Sequence, residues 1–212
     1  MADKFSGTRS FFWPDLSFIK NHISSGSRVL DFGCGNGRLL EILKEKNVDY
    51  YGIDISQNLV DIARNRYPQF KDHISKNSGS AKLDFPDDFF DAVVSIAVFH
   101  HFPDKNFRLK MARELFRVTK HGGHIIVTAW NLWQKRYQKY IWKNIIKKLI
   151  GQSDLDFLDC EIPFKNNAGE IFTRFHHAHT LRELKSLFSE ASFSEIEVQT
   201  IKNKNLVLIG KK

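Results

Sequence analysis

Between Ser27 and Glu45 the chain reads SRVLDFGCGNGRLLEILKE: an apolar run, an acid, three glycines in close succession, then a helix-forming stretch. A strand, a bare loop and a helix in that order open a parallel β/α unit. In open parallel sheets ligands bind outside the carboxyl ends of the strands, where the first loop meets the first helix. Glycines at that point permit tight turns and let backbone N–H groups approach a ligand. The pattern Asp-x-Gly-x-Gly-x-Gly argues against two common ligands. A dinucleotide fingerprint needs Gly-x-Gly-x-x-Gly, and counting from Gly33 the sixth position is Arg38. A phosphate-binding loop would continue as Gly-Lys-Ser/Thr, and none follows.

The remaining pattern supports the same architecture. Strands are predicted at 28–31, 49–53, 90–96 and 124–130, and helices at 38–46, 56–67, 106–119 and 132–150. Ser56 and Asn106 are candidate cap-region residues, and KHGGH at 120–124 is a helix stop. Such alternation implies a parallel sheet covered on both faces. The tail breaks the rhythm, with a helix starting near Thr180 and two strands joined by a polar KNKN turn, an antiparallel pair. With 212 residues, 42% of them hydrophobic and 19 phenylalanines, the chain has material for one ordinary domain. No run approaches the ~18 apolar residues of a membrane span, so stable membrane insertion is not expected. The N-terminus lacks a secretory pattern, and two cysteines do not make a disulfide framework. A cytoplasmic protein is expected.

The net charge of +8 is concentrated. Residues 131–150 hold six Lys/Arg and no acid; the rest carries 26 basic against 24 acidic residues, or +2. Lys135, Lys139, Lys143 and Lys147 recur every fourth residue. Trp133, Tyr137, Ile141, Ile145 and Leu149 form a second stripe, spaced to pack on the core. Such a helix suits a polyanion such as tRNA, an anionic membrane surface, or plain solvation.

The glycine loop resembles the first motif of the class I S-adenosylmethionine-dependent methyltransferases. That resemblance implies an α/β, doubly wound, Rossmann-like fold with a seven-stranded, mostly parallel sheet and a C-terminal antiparallel strand pair. Residues 27–130 would form the cofactor-binding core of a single 1–212 domain, with 1–26 and 131–190 as substrate-side elements. It implies S-adenosylmethionine as cofactor, passing over Gly33, Cys34, Gly35, Asn36 and Gly37, with Asp31 helping to hold its ammonium group. Asp54, at the end of the second strand, is placed to accept ribose hydroxyls, as acids do in dinucleotide folds, with Ile55 beside it. Where the family commonly has an acid for the adenine amino group, this chain has Gly79-Ser80-Ala81, which leaves Ser80 or a backbone group to serve. Ser95 and Ala97 fall in the motif after the fourth strand.

Three peripheral stretches narrow the resemblance: Phe5-Ser6 through Thr8-Arg9 with Trp13-Pro14, Ser95 through His101, and Ile162-Pro163-Phe164 followed by Arg174-Phe175-His176-His177. They are similar to motifs of the tRNA wobble-uridine carboxymethyl methyltransferases and their bacterial look-alikes, with Phe175 and His176 replacing two tyrosines. The implied reaction moves a methyl group onto the carboxylate of carboxymethyl-uridine. A carboxylate is already ionised at neutral pH, so it needs alignment rather than a base. Arginine is its natural clamp, which points to Arg9 and Arg174, with His100 and His177 as further donors or lining. In the eukaryotic family a small zinc-containing partner activates the enzyme along a sheet edge, and a partner of that kind is a candidate here. Two other readings stay open: a methyltransferase for a lipid or quinone-like metabolite, and a cofactor-binding module without turnover. No metal is expected, because His176, His177 and His179 show no nearby carboxylate pattern.

Overall fold

The computed structural model describes residues 13–165 and 169–212. Its main sheet has seven strands in the order β3-β2-β1-β4-β5-β9-β8. The first five are β1 (Arg28–Phe32), β2 (Asp49–Asp54), β3 (Ile74–Lys76), β4 (Phe90–Ile96) and β5 (Thr119–Trp130). They pair in parallel, with Leu30 opposite Tyr51 on one side and Val93 on the other. β8 (Ser194–Ile201) and β9 (Asn205–Lys211) close the sheet as the expected antiparallel pair, β9 running against β5. The chain order reverses between β1 and β4, so the loops after these strands diverge and leave a crevice at their carboxyl ends.

Strand alternation feeds two cores. Leu30, Phe32, Val93, Ile125 and Val127 face one side. There they meet Met111 and Leu115 of α3 (Lys105–Val118) and Leu184 and Phe188 of α5 (Leu181–Glu190). Val29, Tyr50, Val94 and Ile126 face the other. That side is covered by Leu16 and Ile19 of an N-terminal 3-10 segment (Pro14–His22), by Leu40 and Leu43 of α1 (Leu40–Leu43), and by Val60 and Ala63 of α2 (Gln57–Arg66). The α-helix after the glycine loop is shorter than predicted and tightens into a 3-10 turn at Lys44–Lys46. The cap of α3 is Asp104 rather than Asn106, its carboxylate accepting from Phe107 N at 2.7 Å. Thr180 caps α5 by accepting from Glu183 N. No helix among the described residues is long and apolar enough to cross a membrane.

Beside the sheet stands an element the sequence pattern missed. β6 (Asp159–Lys165) and β7 (Ile171–His177) form a separate antiparallel ribbon. Cys160 and Ile162 pack it on Ile141 of α4 (Lys135–Leu149), the basic helix. The predicted apolar stripe of α4 is only partly used. Ile141 is buried and Tyr137 and Ile145 pack around it, whereas Leu149 is 71% exposed. Trp142, Ile146 and Ile150 also face solvent.

The ribbon is tied to α5 by a buried ion network. The His177 ring lies 2.6 Å (Nδ1) from Asp159 Oδ1 and 2.7 Å (Nε2) from Glu183 Oε1. Arg108 of α3 and His179 face the same carboxylate, at 3.9 and 3.5 Å. Burial alone would lower the His177 pKa, but the two carboxylate contacts outweigh it and raise the value. A doubly bridging imidazolium between two carboxylates follows. Because the folded-state pKa lies above the ordinary one of 6.5, its stabilisation is complete below that value and is lost as pH rises through the raised one. Thermal melts from pH 6 to 9 should therefore show a declining midpoint that flattens in His177→Gln; an unchanged slope in the variant would place the dependence elsewhere.

Candidate active site

The loop leaving β1 is held from below. Gly33 N and Cys34 N both donate to Ile53 O, at 2.8 and 3.0 Å. Gly33 has φ +79°, and a Cβ there would lie 2.2 Å from Val98 Cγ2, so any larger residue would push the loop off the β4 side of the crevice. Gly37 serves packing instead: a Cβ there would press on the Tyr67 ring at 3.0 Å. Asp54 joins the first loop to the second. Its Oδ2 accepts from Gly35 N and its Oδ1 from Ser56 N, each at 2.9 Å. The second contact is an Asx turn, so Asp54, more than Ser56, organises the start of α2.

Beneath the loop, Asp31 is 2% exposed and accepts a hydrogen bond from Tyr50 Oη at 2.8 Å. Burial pushes its pKa up to about 7; the Asp54 charge adds to the rise, while Tyr50 and Arg38 oppose it. Arg38 lies with its guanidinium carbon 4.5 Å from the centre of the Trp13 ring. Ala97 closes the β4 side in the left-handed region, φ +61°. Its N–H donates to Thr128 O and Oγ1 at 2.9 and 3.1 Å, which holds the strained turn.

These elements enclose a cavity of about 640 Å³. It brings together nine of the residues predicted from sequence: Asp31, Gly33, Cys34, Gly35, Asp54, Ile55, Ser80, Ala97 and Arg174. Trp13, Arg38, Asn77, His101, Phe102 and Met111 also line it and were not anticipated. The 3-10 turn Phe99–His101 explains one exchange. It turns His101 to the cavity and buries His100, whose Nδ1 accepts from Trp130 N at 3.3 Å and whose ring stacks on Trp130 and His176. The fixed acceptor role leaves the His100 proton on Nε2, pointing away from use as a cavity base.

Four further expected residues do not line the cavity. Asn36 and Gly37 lie on the loop but outside the cavity lining, and Ser95 is fully buried on the sheet. His177 has both ring nitrogens committed to Asp159 and Glu183, so it is a strut of the ribbon and not a substrate donor. Arg9 lies outside the described residues. The fold also supplies carboxylates to the histidines that the local pattern lacked: His177, His179 and Glu183 lie within metal-ligand reach of one another. With His177 protonated, the charges of Asp159, Glu183 and Arg108 already balance there, which favours an ion network over a cation.

Arg174 of β7 reaches the cavity from the ribbon. Its guanidinium carbon is 4.0 Å from the centre of the Phe164 ring, a cation–π contact. Burial lowers its pKa. Guanidinium donors at a cavity wall, sharing the cavity with a glycine-lined loop, one buried acid and one half-buried acid, can orient one anionic and one cationic group in the same space.

Comparison with known proteins agrees with this geometry. Residues 30–127 match the family model described as a methyltransferase domain. The chain is 37% identical over 165 residues to mouse tRNA (carboxymethyluridine(34)-5-O)-methyltransferase ALKBH8, covering 75% of this chain and 23% of that protein. The fission yeast Schizosaccharomyces pombe tRNA (carboxymethyluridine(34)-5-O)-methyltransferase is 34% identical, over 66% of this chain and 58% of its own length. The chain thus spans less than two thirds of these curated relatives. Among solved structures, a SAM-dependent methyltransferase from Methanosarcina mazei superposes with TM-score 0.73 at 23% identity, covering 95% of this chain and 98% of that one. Haemonchus contortus phosphoethanolamine N-methyltransferase 2, in complex with S-adenosyl-L-methionine, gives 0.63 at 16%, over 93% and 52%. Residues 30–127 are thus similar to a methyltransferase domain, and the chain has the fold of solved S-adenosylmethionine-dependent methyltransferases.

Proposed function

We propose that this protein is an S-adenosylmethionine-dependent methyltransferase that methylates the carboxylate of carboxymethyl-uridine at the tRNA wobble position. The observation that carries the acceptor is Arg174: a guanidinium, packed on the Phe164 ring, in the wall of the same cavity as the glycine loop. The residues present suit the donor. Asp31 offers a buried carboxyl to an ammonium, Asp54 a carboxylate to vicinal hydroxyls, and Gly33 the cradle that a Cβ would fill. When bound, that donor supplies a methyl group to an oxygen nucleophile, and no proton need move. The chain's own work is then positional. Arg174 orients the acceptor carboxylate, Ala97 and Val98 shape the wall, and Trp13 with Phe102 excludes water. Among the described residues lining the cavity, Arg174 and Arg38 are the guanidinium donors. Arg38 is partly balanced by the Asp31 charge beside it, which leaves Arg174 as the acceptor clamp. The exposed Lys135, Lys139, Lys143 and Lys147 of α4 offer a track for the tRNA backbone.

Three results are expected. Donor affinity, read by calorimetry, should fall about tenfold per pH unit below the Asp31 pKa of about 7, because only the ionised carboxyl attracts an ammonium. Asp31→Asn should bind roughly 10- to 100-fold more weakly with no such slope; a slope retained in the variant would remove Asp31 from the site. Arg174→Ala should lower kcat/KM on tRNA bearing carboxymethyl-uridine by roughly 100-fold or more while donor affinity changes little. Loss of both in parallel would place Arg174 at the donor, and absence of transfer by the unaltered protein would refute the acceptor. Lys139→Glu with Lys143→Glu should weaken tRNA binding and flatten its salt dependence by about two phosphate contacts; an identical salt slope would return α4 to plain solvation.

A further inference from the structure

The ribbon β6–β7 carries a feature that the carboxylate clamp does not use. Its register sets Cys160 against His176, Ile162 against Arg174 and Phe164 against Phe172. Successive strand residues point to opposite faces, so these six share one face. That face turns inward, for Cys160, Ile162 and His176 are buried and Arg174 lines the cavity. Toward the ribbon's far end the same face continues with Phe164 and Phe172, opposite each other in the register. Phe172 is 38% exposed, and Phe164 touches the Arg174 guanidinium with its π-face. Two aromatic side chains thus share the ribbon face that carries the clamp, at the edge of the cavity lining.

We propose that Phe164 and Phe172 form a stacking platform for the base whose carboxylate Arg174 holds. This rests on the acceptor reading above. The geometry fits a carboxymethyl substituent because it is short: two single bonds separate the pyrimidine ring from the carboxylate carbon. A carboxylate seated on Arg174 therefore brings its base beside the ring 4.0 Å from that guanidinium. An acceptor with a long linker between ring and carboxylate would gain nothing from this placement. A base must leave its neighbours to enter the site, which costs stacking. Stacking on an aromatic side chain offsets that cost and ignores base identity. The labour divides accordingly: the platform supplies affinity for any unstacked pyrimidine, and Arg174 supplies the preference for the carboxylate.

The division is testable with two anticodon stem–loop RNAs that differ only in carrying uridine or 5-carboxymethyluridine at the wobble position. Phe172→Ala should weaken both by the same factor, roughly tenfold, and should leave donor affinity unchanged. Arg174→Ala should weaken only the carboxymethyl RNA. Phe172→Trp should retain binding, and 5-carboxymethyluridine nucleoside should quench its emission beyond the quenching seen in the unaltered protein, whose Trp13 already lines the cavity. If the unaltered protein methylates the carboxymethyl RNA and Phe172→Ala changes neither affinity, the platform is wrong and the function stands. If no RNA is methylated, the function falls and the Phe172→Trp emission decides the platform: quenching by the nucleoside beyond that of the unaltered protein keeps it, and no added quenching overturns it.

Discussion

One carboxylate holds the centre of this molecule together. Asp54 accepts Gly35 N–H with one oxygen and Ser56 N–H with the other, so the loops after β1 and β2 are fixed to each other before any ligand arrives. Without it, two backbone donors would sit unpaired in a glycine-rich segment whose entropy opposes order. Gly33 N and Cys34 N, both donating to Ile53 O, complete the bracket. Once that bracket is rigid, the position of Asp31 under the loop and of Val98 opposite Gly33 are consequences. Preorganisation of this kind places ordering cost in folding rather than in binding.

The bracket also concentrates charge. Asp31 and Asp54 are both held in low-polarity surroundings, and burial raises both pKa values. Two acids so close in one cavity, Asp31 buried and Asp54 half-buried, oppose each other's ionisation. Arg38 relieves part of this and is itself lowered by burial. A cationic ligand that met Asp31 would remove the conflict, so the electrostatics of the site favour a ligand with a positive end. Function-bearing sites often keep such unresolved charge, while structural networks are neutralised internally. The ribbon strut shows the contrast: His177 sits between Asp159 and Glu183, with Arg108 facing Glu183.

The parts legible from sequence are those in which local order and local chemistry coincide. Strand, acid, glycine loop and helix are contiguous, so the β1 to α1 segment carries its own signature, and Thr180 with Glu183 announces a helix in four residues. The ribbon was illegible for the opposite reason. Its strands pair Asp159 with His177, eighteen positions apart, and its polar residues satisfy one another only across that gap. His100 and His101 show a finer limit: pattern reading locates a histidine pair at a strand end, but a single 3-10 turn decides which ring meets the cavity. Leu149 shows another, since helical spacing marks a stripe but not where the partner surface ends.

This division separates two tasks. The acids and glycines proposed to hold the donor follow β1 and β2, with Ala97 after β4 opposite, in a sheet buried on both faces, where an ångström of movement would disturb two cores. Arg174 instead hangs on a ribbon joined to the rest through a small apolar cluster, the stacking of His176 on His100 and Trp130, and an ion network. Mutation can remodel such an appendage without unfolding the sheet, so the same cofactor frame can serve many acceptors. The cost is precision: a side chain on a two-stranded ribbon is positioned only as well as its anchor. That is the physical reason for spending a buried imidazolium and two carboxylates three residues from Arg174. An apolar contact alone would hold the ribbon against the helix but leave it free to slide, whereas a doubly hydrogen-bonded ring fixes its register as well.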